Sequence, residues 1–364
     1  MRKLLLIGPY PPPFGGPNVH MLHLRRRLQQ AGATCEVLNI GPSRREEIEG
    51  ALSVRSGPDF VLKVTRRARR GYHIHHFFNV DSHVAIGLSL LAALLSRSLG
   101  GQYSIGFVGG ECQKYLNQSR SFWGRLFRLS LRLSAFVICN NSRVKEAIRS
   151  CSSGKVDVHA IESFHAGQVQ VVADPSLAVR GFLERHDPVI CSVVLPRHES
   201  GRPYHEVELL AELVAKVRPI HPNVGCVVLG SEVAIPFHRE IVKDRCVADH
   251  FHFAGEVPHD QCLGTLSMAS VFVRASMRDG NSSSVREALA LGTPTVASRN
   301  PHHPAAAIQF NTNDPDDLAR VVLDVLGCVD VIRTRLRGAR PMPGGDIDRE
   351  VSLLLGEDRI PTDG

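Results

Sequence analysis

Short apolar runs alternate along this chain with longer segments of helical period. Lys3 to Gly8 is an apolar run that flows into a Pro- and Gly-rich stretch, Pro9 to Pro17, which predicts a buried strand and a sharp loop. Asn18 is placed to cap a helix over Val19 to Gln30, Gly32 stops it, and Thr34 to Ile40 reads as the second strand. The rhythm continues with strands at Tyr72–His75, Gln102–Val108, Phe136–Cys139 and Lys155–Ile161, and helices at Ser82–Leu99 and Ser142–Arg149. This βαβα order predicts a parallel sheet covered on both faces. From Ala166 to Arg185 the pattern loosens and Asp-Pro occurs at 174–175 and 187–188, so a linker between domains is expected there. A second series then starts, with strands at Val189–Leu195, Val224–Gly230, Phe251–Phe253 and Val271–Arg274. Its helices are expected at His205–Val217, Arg239–Ala248, Gln261–Ala269 and Asp314–Leu326, with a last one at Asp346–Leu355.

The densest local signal is Arg278 to Ala297, RDGNSSSVREALALGTPTVA. Ser282, Ser283 and Ser284 favour a helix start, Val285, Ala288 and Leu289 give it an apolar face, and Gly292 with Pro294 ends it. Asp279 then lies ahead of the helix and Glu287 inside it, so two carboxylates bracket a helix N-terminus whose free N–H groups attract anions. A sugar nucleotide suits such a site, its hydroxyls donating to carboxylates and its diphosphate accepting from backbone N–H. The same residues also fit a capped helix whose carboxylates favour its positive end.

Charge and composition narrow the classes. The chain has 364 residues, enough for two substantial cores, and 43% of them are hydrophobic. No secretory signal is read at the start, and Val84 to Leu95 is shorter than the ~20 residues a membrane span needs. Nine cysteines lack Cys-x-x-Cys or zinc spacing, which points to reduced thiols in a cytoplasmic protein. The pairs His75-His76 and His302-His303 lack the helical spacing of a metal site, so no metal is expected. A formal net charge of +7 calls for an anionic partner. Nucleic acid is disfavoured because no helix-turn-helix, zinc finger or aromatic ribonucleoprotein motif is present. Ser121 to Ser134 puts Arg125, Arg128 and Arg132 on one helical face and Phe122, Leu126, Leu129 and Leu133 on another. With Arg66, Arg67, Arg69 and Arg70 it fits either a peripheral contact with an anionic membrane or a helix that covers the sheet with a solvated arginine face.

The acidic run resembles the acidic–seven–acidic motif of retaining glycosyltransferases of family 4. Asp279, Gly280, Glu287, Ala288, Ala290, Gly292 and Pro294 carry that likeness, with Asp where the family usually has Glu. The resemblance implies a GT-B fold, α/β, with two Rossmann-like domains facing a central cleft. The domains are expected at 1–175 and 186–338, the former binding the acceptor and the latter the donor, and helix 346–355 is expected to return to the first. It also implies that Asp279 contacts the donor sugar and Glu287 the nucleotide ribose, with Gly280, Asn281, Ser282 and Ser283 beside them. Arg197 and Arg202 match the family's Arg and Lys at the diphosphate, with Arg in place of Lys. Gly15 and Gly16 resemble the family's first loop. Gly109, Gly110 and Glu111 fit a His-Gly-Gly strand end, except that Val108 stands at the histidine. Glu111, His75 or His76 is then a candidate replacement. The expected partners are a nucleotide-activated sugar, as co-substrate rather than cofactor, and a saccharide or lipid-linked acceptor, and the expected location is the cytoplasm, including the inner membrane face. A donor-binding relative that no longer transfers sugar and a GT-B epimerase remain alternatives.

Overall fold

The computed structural model describes the chain except residues 13, 15, 79–81, 108–120, 141, 153, 162–163, 165–168, 195–197, 200–201, 204, 231, 277–281, 301–302, 340–346 and 358–364, and the side chains of 198–199, 202–203, 205 and 233. The chain divides into two compact units, residues 1–165 with 344–364 and residues 166–343.

The first unit runs β1 (Lys3–Gly8), α1 (Gly16–Gln30), β2 (Thr34–Asn39), β3 (Ala51–Leu52), α2 (Gly57–Ala68), β4 (His73–Phe78), α3 (His83–Ser98), β5 (Tyr103–Phe107), α4 (Phe122–Leu133), β6 (Val137–Cys139), α5 (Ser142–Cys151) and β7 (Val158–Ala160). Its seven strands pair in parallel in the order β3-β2-β1-β4-β5-β6-β7. Leu4 to Ile7 are wholly buried, as an apolar central strand requires. Serines start three helices by accepting from a backbone N–H three residues on: Ser56 from Asp59, Ser82 from Ala85 and Ser121 from Gly124. Helix α1 begins earlier than the capping pattern predicts, so Asn18 falls inside its first turn and is buried.

Strand β4 reads HIHHFF and is buried throughout. Ser104 on β5 bridges two of its rings, 2.7 Å from His73 Nε2 and 2.9 Å from His75 Nδ1. The His76 and Phe78 rings lie 4.5 Å apart. Burial, with smaller contributions from neighbouring charged groups, holds these imidazoles neutral, at pKa values of about 3 for His73, about 4 for His75 and about 3 for His76. His75 and His76 are, with Glu111, the candidates to replace the missing family histidine. Both histidines are 0% exposed, so neither can serve an acceptor.

The second unit runs α6 (Leu177–Arg185), β8 (Val189–Val194), β9 (His198–Glu199), β10 (Arg202–Pro203), α7 (His205–Val217), β11 (Gly225–Gly230), α8 (Ile235–Asp244), β12 (Phe251–Gly255), α9 (His259–Met268), β13 (Val271–Arg274), α10 (Ser283–Ala290), β14 (Thr295–Ser298), β15 (Ile308–Phe310), α11 (Pro315–Leu326) and α12 (Val329–Gly338). Its main sheet is parallel in the order β12-β11-β8-β13-β14-β15. The stretch read as a linker holds α6, which Ser176 caps and whose Phe182 and Leu183 join the core of this unit. Helix α8 starts four residues before its predicted position because Pro236 sits in the first turn, where a missing N–H costs nothing.

The last helix, α13 (Ile347–Leu355), belongs to the first unit and packs on α1. Ile347, Val351 and Leu354 join Leu4, Leu6, Met21, Leu24 and Phe77 in one cluster. Such burial contributes about 2 kcal/mol per large side chain. Glu350 lies 3.1 Å from His20 Nε2 on α1, with both side chains almost fully buried.

Candidate functional site

In the second sheet the strand order turns back beside β8, with β11 on one side of it and β13 on the other. Ligands of doubly wound sheets bind at the carboxyl ends of the strands at such a switch. The β8–β13 register pairs Val271 with Ile190 and Phe272 with Cys191, so Val194 and Arg274 end their strands on the same side. The chain leaves β8 through residues 195–204 and β13 through residues 275–282. By sequence these two segments carry Arg197, Arg202, Asp279, Gly280 and Asn281. Arg202 lies on β10, which pairs with β9 as a short antiparallel hairpin through Arg202 and Glu199. The side chain of Arg202 lies outside the described residues, as do Arg197, Asp279, Gly280 and Asn281 altogether.

Side chains pin the strand ends. Arg274 Nη1 donates to the carbonyl of Val193 and lies 3.4 Å from Glu206 Oε2 on α7. Both residues are buried, and removing one partner of such a pair typically costs about 3–5 kcal/mol. Two glycines line the same edge for steric reasons. Gly230 has φ +147, and a Cβ there would come 2.0 Å from the Val194 carbonyl oxygen. Gly255 has φ +71, and a Cβ there would stand 2.8 Å from Cγ of Glu232, an exposed residue.

Helix α10 starts where the serine run predicts. Ser282 is its N-cap residue, and the Ser282 and Ser284 hydroxyls meet at 3.1 Å. Ser283 is the first helical residue, so its N–H and those just after it have no partner within the helix. Gly292, at φ +78, follows the helix end, as a left-handed cap requires. Glu287 is the fifth helical residue and is 9% exposed. Its Oε1 lies 3.0 Å from Nε2 of His259, the first residue of α9. Burial pulls the pKa of His259 down, but the hydrogen bond and charge of Glu287, with Asp260 adding to them, outweigh it and hold it above the usual histidine value. The same Glu287 charge, after burial, keeps the Cys262 thiol protonated.

In the first unit, Gly16 is exposed at the start of α1, just after β1. The loop after β1 is tied to the loop after β2. Asn39 Oδ1 accepts from the N–H of Tyr10 at 3.2 Å and of Gly41 at 2.9 Å, and Ser43 donates to the carbonyl of Pro12. Gly15, Val108, Gly109, Gly110 and Glu111 lie outside the described residues. Among the described residues no group of His, Cys, Asp and Glu could hold a metal ion, and the eight described cysteines are free thiols.

The geometry brings Ser282, Ser283 and Glu287 onto one helix, beside the strand ends that lead into the arginine and Asp279 segments. Sequence reasoning missed His259, Glu206 and Arg274. Only tertiary packing makes His259 a neighbour of Glu287, 28 positions on.

Residues 199–329 match the family of group 1 glycosyl transferases. No curated protein matches the chain. A solved sucrose-phosphate synthase from Thermosynechococcus elongatus is similar over 98% of each chain, at 16% identity and a TM-score of 0.69. Anabaena HepE, solved with UDP and glucose, is similar over 98% of this chain and 99% of its own, at 13% identity and TM-score 0.70. A putative UDP-N-acetylglucosamine 2-epimerase from Listeria monocytogenes is similar over 98% of both, at 14% identity and TM-score 0.66. At these identities the likeness is one of fold: α/β, GT-B, with two Rossmann-like domains.

Proposed function

We propose that this chain, with a group 1 glycosyl transferase segment set in a GT-B fold, is a retaining glycosyltransferase that moves a sugar from a nucleotide-activated donor to a saccharide or lipid-linked acceptor. One observation carries the reading. The segment that matches the family runs from residue 199 to 329, and it contains Arg202, Asp279 and Glu287, with the helix that bears the last of them. In this reading Arg197 and Arg202 stabilise the charge that develops on the departing nucleoside diphosphate. Asp279 holds the donor sugar and Glu287 accepts from the ribose hydroxyls. Gly280, Asn281 and the N–H groups at Ser282 and Ser283 complete the donor site, and Glu232 serves the nucleobase. Gly15, Gly16, Gly109, Gly110 and Glu111 face the acceptor.

The reaction is a same-face displacement. The bond from the anomeric carbon to the diphosphate breaks as the acceptor oxygen bonds to that carbon on the same face. The acceptor proton passes to the departing phosphate oxygen. No protein nucleophile and no metal is required, which accommodates Val108 at the family histidine position. Product would enter polysaccharide or glycoconjugate assembly.

A lipid-linked acceptor is supported by the surface of the first unit. Helices α2 and α4 both pack on α3. Their outer faces carry Arg66, Arg69, Arg70, Arg125 and Arg132, all exposed and none in a salt bridge with a described residue. Leu62 and Phe122 stand among them at 67% and 66% exposure. Leu62, Thr65, Arg66, Arg69 and Arg70 line a groove of about 400 Å³. Such a face suits the anionic surface of a bilayer, where a lipid-linked acceptor is presented, and the location proposed is the cytoplasmic membrane face. No helix among the described residues is long and apolar enough to cross a membrane.

A thermal-shift titration with UDP-, GDP- and ADP-sugars, on the wild type and Arg202→Ala, tests the donor reading. Saturable stabilisation by one nucleotide class, lost in the variant, is expected. No shift in a folded sample would overturn it. Val108 favours one second reading, a donor-binding relative without transferase activity. That reading predicts the shift but no transfer to any acceptor. A GT-B epimerase would instead release an epimerised sugar nucleotide without any acceptor.

A further inference from the structure

The carboxylate of Glu287 is not free to turn. Oε1 is held at 3.0 Å by His259 Nε2, and Oε2 has no hydrogen-bond partner among the described residues. The Glu287 side chain retains 12% exposure and that of His259 19%, so both sit at the edge of the packed core rather than inside it. Helices α9 and α10 pack on each other. His259 projects from the first residue of α9 on a side chain with only two rotatable bonds, so its ring is placed by backbone and not by a long flexible arm.

We propose that His259 is a positioning residue for the donor nucleotide: it grips one oxygen of Glu287 and so presents the other, Oε2, to the cis-diol of the donor ribose. The inference rests on the donor-site reading above and adds to it the device that orients the carboxylate. A carboxylate has two oxygens and about four lone-pair positions. Left alone, Glu287 would lose rotamer freedom when the ribose binds, and that entropy would be subtracted from affinity. With His259 in place the freedom is already spent in the folded protein. A hydrogen bond to an ionised acceptor is worth about 1.5–3 kcal/mol, so a correctly aimed Oε2 confers a preference for ribose over 2′-deoxyribose of roughly tenfold or more. Because the ribose is remote from the bond that breaks, the effect falls on donor KM and leaves kcat largely unchanged.

The test uses the full chain with UDP, GDP and ADP, each beside its 2′-deoxy form, followed by calorimetry, on wild type, His259→Ala and His259→Gln. Glutamine carries an N–H donor at the reach of Nε2 but no titratable ring. Expected is a ribose preference in the wild type for the nucleotide that binds, a fall to within about twofold in His259→Ala, and its return in His259→Gln. In turnover, His259→Ala should raise donor KM severalfold at near-constant kcat. A pair that merely braced α9 against α10 would lower the melting temperature and weaken both nucleotides equally. That result, or an unchanged preference in His259→Ala, overturns the inference. A wild type that binds no nucleotide defeats the donor-site reading itself. A wild type that binds nucleotide without a ribose preference defeats only the role given to His259 and Glu287.

Discussion

The two units use the same strand order and opposite charge. The first holds 25 Lys and Arg against 16 Asp and Glu, a net +9, and the second holds 18 against 20, a net −2, which together make the chain's +7. Pairing differs as well. On the second unit Arg180 meets Asp174 and Glu184, Arg320 meets Asp317 and Asp324, and Lys216 meets Asp316. On α2 of the first unit Arg67 pairs with Glu36 and Lys63 with Asp59, whereas Arg66, Arg69 and Arg70 turn outward without a salt bridge to a described residue. Exposed pairs contribute little to stability, so the contrast concerns what the surfaces present. The second unit carries slightly more acid than base and pairs several of its exposed cations. The first leaves a field for something outside.

The largest effect expected is on chemistry. Asp279→Ala and Arg202→Ala should each lower kcat/KM by about 10²–10³, while Arg320→Ala, on an exposed paired cation of the same unit, should leave it unchanged within twofold. Equal losses in all three, by initial-rate assay, would erase the distinction within the second unit. Next is vesicle binding. Reversing Arg66, Arg69, Arg125 and Arg132 together to Glu should reduce partitioning onto anionic vesicles by about 10²-fold or more, at roughly 1 kcal/mol per basic residue near the surface. Reversing Lys216 and Arg320 should not reduce it. Sedimentation that is insensitive to anionic lipid, or equally sensitive to both sets, would remove the difference between the units.

A smaller effect separates them by pH. The unfolded chain protonates imidazoles below about 6.5, but in the fold His73, His75 and His76 resist charging until about 3, 4 and 3. Their contribution is therefore complete above the ordinary histidine value and is lost as pH falls from there towards 4, by up to about 1.4 kcal/mol per pH unit per histidine. The second unit has His238, held at about 4 by burial, and a lesser lowering at His252. Melting between pH 7 and 4.5 should therefore weaken the first unit more steeply, and His76→Leu should flatten that slope by about one proton. Parallel slopes for both units would contradict the assignment.

Which parts were legible in the sequence follows from the range of the forces involved. Strand β1, helix α7 and strand β13 fall where the apolar pattern placed them, because burial on one or both faces writes itself into neighbouring positions. Helix α2 escaped notice although its signals are local: Ser56 as cap, Pro58 in the first turn and Asp59 near the positive end. The dense arginines at its end, Arg66, Arg67, Arg69 and Arg70, mask the helical pattern with charge. Helix α6 was concealed by flanking Asp-Pro pairs that mark its limits rather than its absence. Of the candidate site, the serine cap and Gly292 were readable, since capping acts within a few residues. The contacts Glu287–His259 and Arg274–Glu206 were not, because no periodicity records which side chain meets which across separate elements.

Helix α13 has a consequence for the order in which the molecule comes into being. The sheet of the first unit precedes the second unit along the chain, yet one layer of its core, helix α13, is synthesised only after the whole of the second unit. A nascent chain emerging from a ribosome can therefore complete the second unit as an uninterrupted stretch while His20 and the apolar floor around Met21 and Leu24 still await Ile347, Glu350 and Leu354. That sheet is started before the second unit and sealed after it, so its maturation reports that translation has passed residue 355.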